Sequence, residues 1–171
     1  MILYLDASAL VKRYVVEPGS AEVNETIARA EAVGTAIISR AEVAAALARA
    51  VRMNALLPKE ASASLQVFRN EWPDLVRVQA TEIVVARADT LAWDHGLRGY
   101  DAVHLAAASV WQDAMGERVT FATFDRQLWA AADRVGLVPY PADLPALLDT
   151  WHAAALARQE NDDRLFPVEK I

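Results

Sequence analysis

Short apolar runs that alternate with long stretches of helical period constrain this chain more than any other feature. Met1–Leu5, Thr35–Ile38, Leu75–Val78 and Val119–Phe124 are too short for ordinary helices and rich in branched or aromatic residues, so they read as buried strands. Gly136–Val138 is a weaker fifth. Between them the periodicity predicts helices over Ala7–Tyr14, Ala21–Ala32, Ser39–Asn54, Pro58–Asn70, Ala80–Asp94, Tyr100–Gln112 and Arg126–Val135. Val43, Leu47 and Val51 form one apolar stripe, Pro58 suits a first-turn position, and Gly96 and Gly136 suit helix ends. Strands alternating with helices imply a parallel sheet covered on both faces. The expected fold class is α/β.

A chain of 171 residues fits one domain, and at 54% hydrophobic residues it can bury a core without staples. The absence of cysteine excludes disulfides and thiolate metal sites and fits a reducing compartment. No basic segment precedes an apolar leader and no run of about 18 apolar residues could span a bilayer, so a cytoplasmic protein without a membrane contact is expected. The core domain is expected over residues 1–148. An extension over 149–171 then holds the end of a helix (Leu144–Ala157), a polar run (Gln159–Arg164) and an apolar patch (Leu165–Val168).

In open α/β sheets, ligands bind beyond the carboxyl ends of the strands. Asp6 directly follows the first strand, Asp125 directly follows the fourth, and Glu42 lies in the first turn of the helix after the second. Asp101 opens another helix, where first-turn N–H groups favour negative charge. Each acid has a local explanation as well. Asp6 and Asp125 suit N-caps, Ser39 and Glu42 have capping-box spacing, and Asp101 complements a helix dipole. Taken together they suggest more, because converging like charges repel and call for a cation. Hard divalent ions take oxygen ligands, keep several waters, and through them support hydrolysis of a phosphate ester without a covalent nucleophile.

The same residues resemble the motifs of a known family. Leu3-Tyr4-Leu5-Asp6-Ala7-Ser8-Ala9-Leu10 resembles the opening motif of PIN domains, and Glu42 within Ser39-Arg40-Ala41-Glu42-Val43 the second. The stretch from Leu97 to Ala106 around Asp101 resembles the third, and Thr123-Phe124-Asp125-Arg126-Gln127-Leu128 the fourth. The four occur in order over residues 1 to about 140, and the chain is most similar to the VapC toxins of toxin–antitoxin pairs. The resemblance implies a three-layer α/β/α fold with a four- to five-stranded parallel sheet. It also implies a Mg²⁺ or Mn²⁺ site, RNA phosphodiester hydrolysis, a homodimer, and a small antitoxin that blocks the site. Carried over by position, Asp6, Glu42, Asp101 and Asp125 form the acidic pocket, with Asp6 and Asp101 as direct metal ligands. Glu42 and Asp125 then act directly, through water, or on a second ion, and Ser8 and Thr123 orient water or a carboxylate.

Other residues carry weaker signals. Arg98 suits a phosphate grip or a pocket ion pair, and equally a solvated loop. Lys12, Arg13 and Arg40 suit phosphate contacts or plain surface charge. His104, three residues after Asp101, reads as a buried core residue, with a hydrogen bond to the pocket as the alternative. The five tryptophans read as core. The net charge of −6 counts against bulk attraction to RNA, so metal, a dimer or a partner would have to supply positive potential. Rival readings are a DNA nuclease or RNA-processing PIN-like enzyme, an inactive interaction module, and an aspartyl-phosphate phosphotransferase. The last lacks a second acid beside Asp6, where Ser8 stands, and a late lysine.

Overall fold

The computed structural model describes residues 1–165, with side chains as far as residue 157. Five strands, β1 (Ile2–Leu5), β2 (Ala32–Ala36), β3 (Val76–Val78), β4 (Val119–Ala122) and β5 (Val138–Tyr140), form one parallel sheet in the order β3-β2-β1-β4-β5. The helices are α1 (Ala7–Leu10), α2 (Ser20–Arg29), α3 (Ser39–Arg52), α4 (Pro58–Glu71), α5 (Glu82–His95), α6 (Gly99–Met115), α7 (Arg126–Arg134) and α8 (Leu144–Leu165).

Strand alternation divides the core in two. On β1, Ile2 and Tyr4 point to one face and Leu3 and Leu5 to the other, as the two-residue period of a strand requires. Ile2 and Tyr4 pack with Leu105, Ala106, Trp111 and Phe121 under α5, α6 and α7. Leu3 and Leu5 pack with Leu10, Val43, Leu47 and Phe68 under α1, α3 and α4. This is the three-layer α/β/α arrangement expected, and each fully buried Leu or Phe contributes about 1.5–3 kcal/mol of transfer free energy to it. Close approach of α6 to the sheet depends on Gly34, where an added Cβ would lie 2.5 Å from Trp111 Cζ3.

Several element bounds differ from expectation. β2 starts at Ala32 and stops at Ala36, because pairing with β1 begins at Ile2↔Ala32 and Ile37-Ile38 turns into α3. β5 lies at Val138–Tyr140, beyond the Gly136–Val138 expected. Pro139, which reads as a breaker, is tolerated because β5 is an edge strand. The first helix ends at Leu10 and continues as a 3-10 turn over Val11–Arg13. α8 passes beyond Ala157 to Leu165, so the polar run from Gln159 is helical and residue 148 falls inside a helix. Of the apolar patch Leu165–Val168, the part after Leu165 lies outside the described residues. Among the described residues no helix is long and apolar enough to cross a membrane.

Candidate active site

Asp6 leaves the central strand at its carboxyl end and is 4% exposed. Its carboxylate caps α1 by accepting from Ala9 N at 2.8 Å. It also accepts from Ser8 Oγ (2.8 Å to Oδ1) and from Thr123 Oγ1 (2.7 Å to Oδ2). Each hydroxyl in turn accepts a backbone N–H from the segment after β4: Phe124 N to Ser8 Oγ at 2.9 Å and Asp125 N to Thr123 Oγ1 at 3.1 Å. Those acceptances leave the hydroxyl protons for Asp6, so the two side chains orient the carboxylate and tie the ends of β1 and β4 together. Burial pushes the Asp6 carboxyl above its usual range, against the pull of these hydrogen bonds.

Asp101, in the first turn of α6, is half-buried, and its carboxyl is also raised: by burial, then by the charges of Asp125 and Asp6. The charges that act on Asp101 thus come from the end of β1 and from the loop after β4. Asp125 caps α7 as well, accepting from Leu128 N at 2.8 Å. Capping and pocket readings therefore coexist for Asp6 and Asp125, since a cap uses one lone pair of a carboxylate that has several. The capping box at Ser39 and Glu42 does not form. Ser39 Oγ instead meets Thr35 Oγ1 at 2.6 Å, and Thr35 donates to Leu5 O at 2.7 Å.

Glu42 joins the others through a residue pair that sequence reasoning undervalued. His104, 2% exposed, places Nε2 2.8 Å from Glu42 Oε2 and Nδ1 3.0 Å from the Tyr4 hydroxyl. It is thus a buried, satisfied histidine, and its partner is a pocket acid. The signal lay in the spacing: His104 follows Asp101 by one helical turn and Tyr4 precedes Asp6 by one strand period.

The basic residues separate by environment. Lys12 is buried, bound to Glu17 Oε1 and Pro18 O at 2.8 Å each and lying 4.4 Å from the Phe124 ring centroid, so it is structural. Arg13 pairs with Glu71 at 2.8 Å, and Arg40 lies over Trp72. Arg98 is exposed, makes no ion pair among the described residues, and stands close enough to Asp101 to favour its charged form. A groove of about 760 Å³ is lined by Glu42, Arg98, Asp101, Val85, Ala88 and Tyr100 among others.

The PIN domain family model matches residues 3–135. A curated relative, Ribonuclease VapC45 of Mycobacterium tuberculosis, is 35% identical over 144 residues, covering 84% of this chain and 97% of its own. The chain belongs to the PIN-domain family, among the VapC proteins. Solved structures share the fold of this PIN domain at lower identity. A Pyrobaculum aerophilum protein superposes with TM-score 0.58 at 20% identity, over 87% of this chain and 90% of its own. A toxin–antitoxin complex from Klebsiella pneumoniae gives 0.54 at 16% identity, over 76% and 91%.

The donor chemistry of this PIN domain suits a hard cation. Its groups are carboxylate oxygens; burial raises Asp6, and burial with the charges of Asp125 and Asp6 raises Asp101, which a divalent charge would offset. Among the described residues no three His, Cys, Asp or Glu side chains gather closely enough to enclose a metal by themselves. Any cation here would therefore be held by one or two carboxylates and complete its shell with water. The tryptophans do not all lie in the core. Trp72 and Trp111 do, Trp129 and Trp151 are half-buried, and Trp93 is 89% exposed on α5.

Proposed function

We propose that this PIN domain is a cytoplasmic, Mg²⁺- or Mn²⁺-dependent endoribonuclease that hydrolyses RNA phosphodiester bonds, and the toxin of a toxin–antitoxin pair. The observation that carries the reading is the buried Asp6 carboxylate at the end of the central strand, aimed by Ser8 and Thr123, with the acids Asp101 and Asp125 presented at the ends of neighbouring elements. Family membership and the ribonuclease named in the M. tuberculosis relative support the reaction class.

Asp6 and Asp101 would hold the ion, with Glu42 and Asp125 holding its waters or a second ion. When bound, such a cation supplies a water of lowered pKa and neutralises charge building on the scissile phosphate. The rest falls to this chain's own side chains. Ser8 and Thr123 keep both Asp6 oxygens aimed by donating to them. Arg98, unpaired at the groove edge, meets a phosphate oxygen of the RNA backbone. Tyr100, 67% exposed beside it, offers a ring on which an unpaired base stacks. The chain is acidic overall, so these local groups provide the attraction that bulk charge does not.

The K. pneumoniae neighbour is a toxin–antitoxin complex. By the same reading, this chain pairs with a small antitoxin that blocks the acid pocket, and it acts as a homodimer. The core nuclease is residues 1–148, with 149–171 an extension.

The purified chain should cut a single-stranded RNA oligonucleotide with Mg²⁺ or Mn²⁺, stop in EDTA, and spare DNA of the same sequence. Asp6→Asn should be inactive yet folded. Cutting in EDTA would reject the metal-dependent mechanism, and equal cutting of DNA would reject the RNA assignment. Production in a bacterial host should slow growth, relieved by Asp6→Asn or by the protein of a short adjoining reading frame. Unimpaired growth would reject the toxin role.

A further inference from the structure

Glu42 differs from the other pocket acids in reach and freedom. It hangs from the first turn of α3 on a long, flexible side chain that is 23% exposed. Left to itself it would turn outward to water. Its Oε2 is instead held at 2.8 Å by Nε2 of His104. The imidazole is 2% exposed, so the contact is shielded from competing water on the His104 side.

The other side of the imidazole is equally constrained. Nδ1 lies 3.0 Å from the hydroxyl of Tyr4. The Tyr4 ring is fully buried, stacked on Phe121 with centroids 5.3 Å apart and planes within 9°, and it meets His104 edge-on at 6.0 Å. A carboxylate oxygen only accepts, so Nε2 is the imidazole nitrogen that donates to Glu42, and the Tyr4 hydroxyl faces Nδ1 on the far side of the ring. In the tautomer that donates from Nε2, Nδ1 carries a lone pair that the Tyr4 O–H meets, so the phenol holds the ring with its N–H toward Glu42.

We propose that Tyr4 and His104 are positioning residues, a buried two-step relay of hydrogen bonds from the central strand through α6 that aims the Glu42 carboxylate at the cation. The proposal rests on the metal-centre reading of the pocket. His104 and Tyr4 touch neither cation nor RNA and act through Glu42 alone. Groups that hydrogen-bond a metal-binding carboxylate from behind typically account for about 10- to 100-fold in metal affinity or activity.

Binding of Mn²⁺ to the full chain, followed by the free-ion signal in electron paramagnetic resonance, tests this without relying on turnover. His104→Ala should weaken Mn²⁺ binding about 10-fold or more. Tyr4→Phe, which removes one oxygen and keeps the ring stack, should weaken it in the same direction by less. His104→Gln, which returns an N–H donor, should recover part of the loss. Introducing His104→Ala into a Glu42→Gln background should cost nothing further, and RNA cleavage by Tyr4→Phe should lose kcat with KM unchanged. Wild-type affinity in both Tyr4→Phe and His104→Ala would overturn the proposal. So would an equal loss on both backgrounds, since that is the result of a merely structural role. A wild type that binds no Mn²⁺ would overturn the metal-centre reading itself, a result distinct from either.

Discussion

The carboxylates of Asp6 and Asp101 carry a cost that the metal-free protein must bear. Both are raised above their usual range, first by burial and, for Asp101, by Asp125 and Asp6. For an acid whose pKa rises on folding, the folded state is favoured while the group is protonated, and that advantage is lost as pH climbs through the raised value. In EDTA, Asp101→Asn should therefore melt at a higher temperature than wild type at neutral pH, the gap closing as pH falls below the ordinary carboxylate range. Thermal melts over a pH series check this, and equal melting temperatures at neutral pH would mean that the acids do not strain one another. Thr123 plays the opposite part. Its hydroxyl donates to Asp6 Oδ2 at 2.7 Å and accepts from Asp125 N at 3.1 Å, fully buried. Thr123→Val keeps the shape and strands both partners, so denaturant unfolding should show a loss of about 1–3 kcal/mol together with reduced cleavage. Asp6, Glu42, Asp101 and Asp125 could be found as candidates from position in the sequence. The partner of His104 was harder to read: its spacing from Asp101 allowed a pocket contact, but a histidine on an alanine-rich face looks the same whether its partner is a backbone carbonyl or a carboxylate 62 residues away.

At the scale of elements, the order of strands and helices was legible because apolar period and length separate them. The bounds were less so. Ala32 reads as the end of a helix, yet it pairs with β1, and Pro139-Tyr140 reads as a break, yet it lies in an edge strand. In each case the deciding term is pairing with a neighbour remote in sequence, which overrides local propensity. Gly34 shows the same dependence. Nothing nearby in the chain demands glycine there, but Trp111 of α6 lies where a Cβ would go. Gly34→Ala should cost about 1–3 kcal/mol by overpacking, and Trp111→Leu should relieve part of it in the double variant. Additive losses in a two-by-two cycle of unfolding energies would show the two sites to be uncoupled. α8 is joined to the core in a comparable way, with Trp151 stacked on Phe124 at 5.6 Å, next to Asp125.

For the whole molecule, the parallel crossover topology is what makes a site. Each βα unit returns the chain to the same sheet edge, and β1 and β4 are neighbours in the order β3-β2-β1-β4-β5 although more than half the chain separates them. If the acids assembled there hold Mg²⁺ or Mn²⁺, the ion must stabilise the fold by linkage. At 100 times its dissociation constant it should add about 2.7 kcal/mol, read as a rise in melting temperature that Asp6→Asn abolishes. A melting temperature indifferent to either ion would contradict a site that binds in the folded state.

The amino-acid sequence alone determined the alternation of strands and helices, the layered α/β class and the four acids at strand and helix ends, because these follow from local periodicity and from residue types at turns. Tertiary structure decided which hydroxyls face Asp6, which histidine holds Glu42, and that Lys12 and Arg13 are tied into the scaffold. Those outcomes depend on packing between segments far apart in the chain, and the energy of a buried hydrogen bond or a like-charge contact exists only once the surrounding water has been removed.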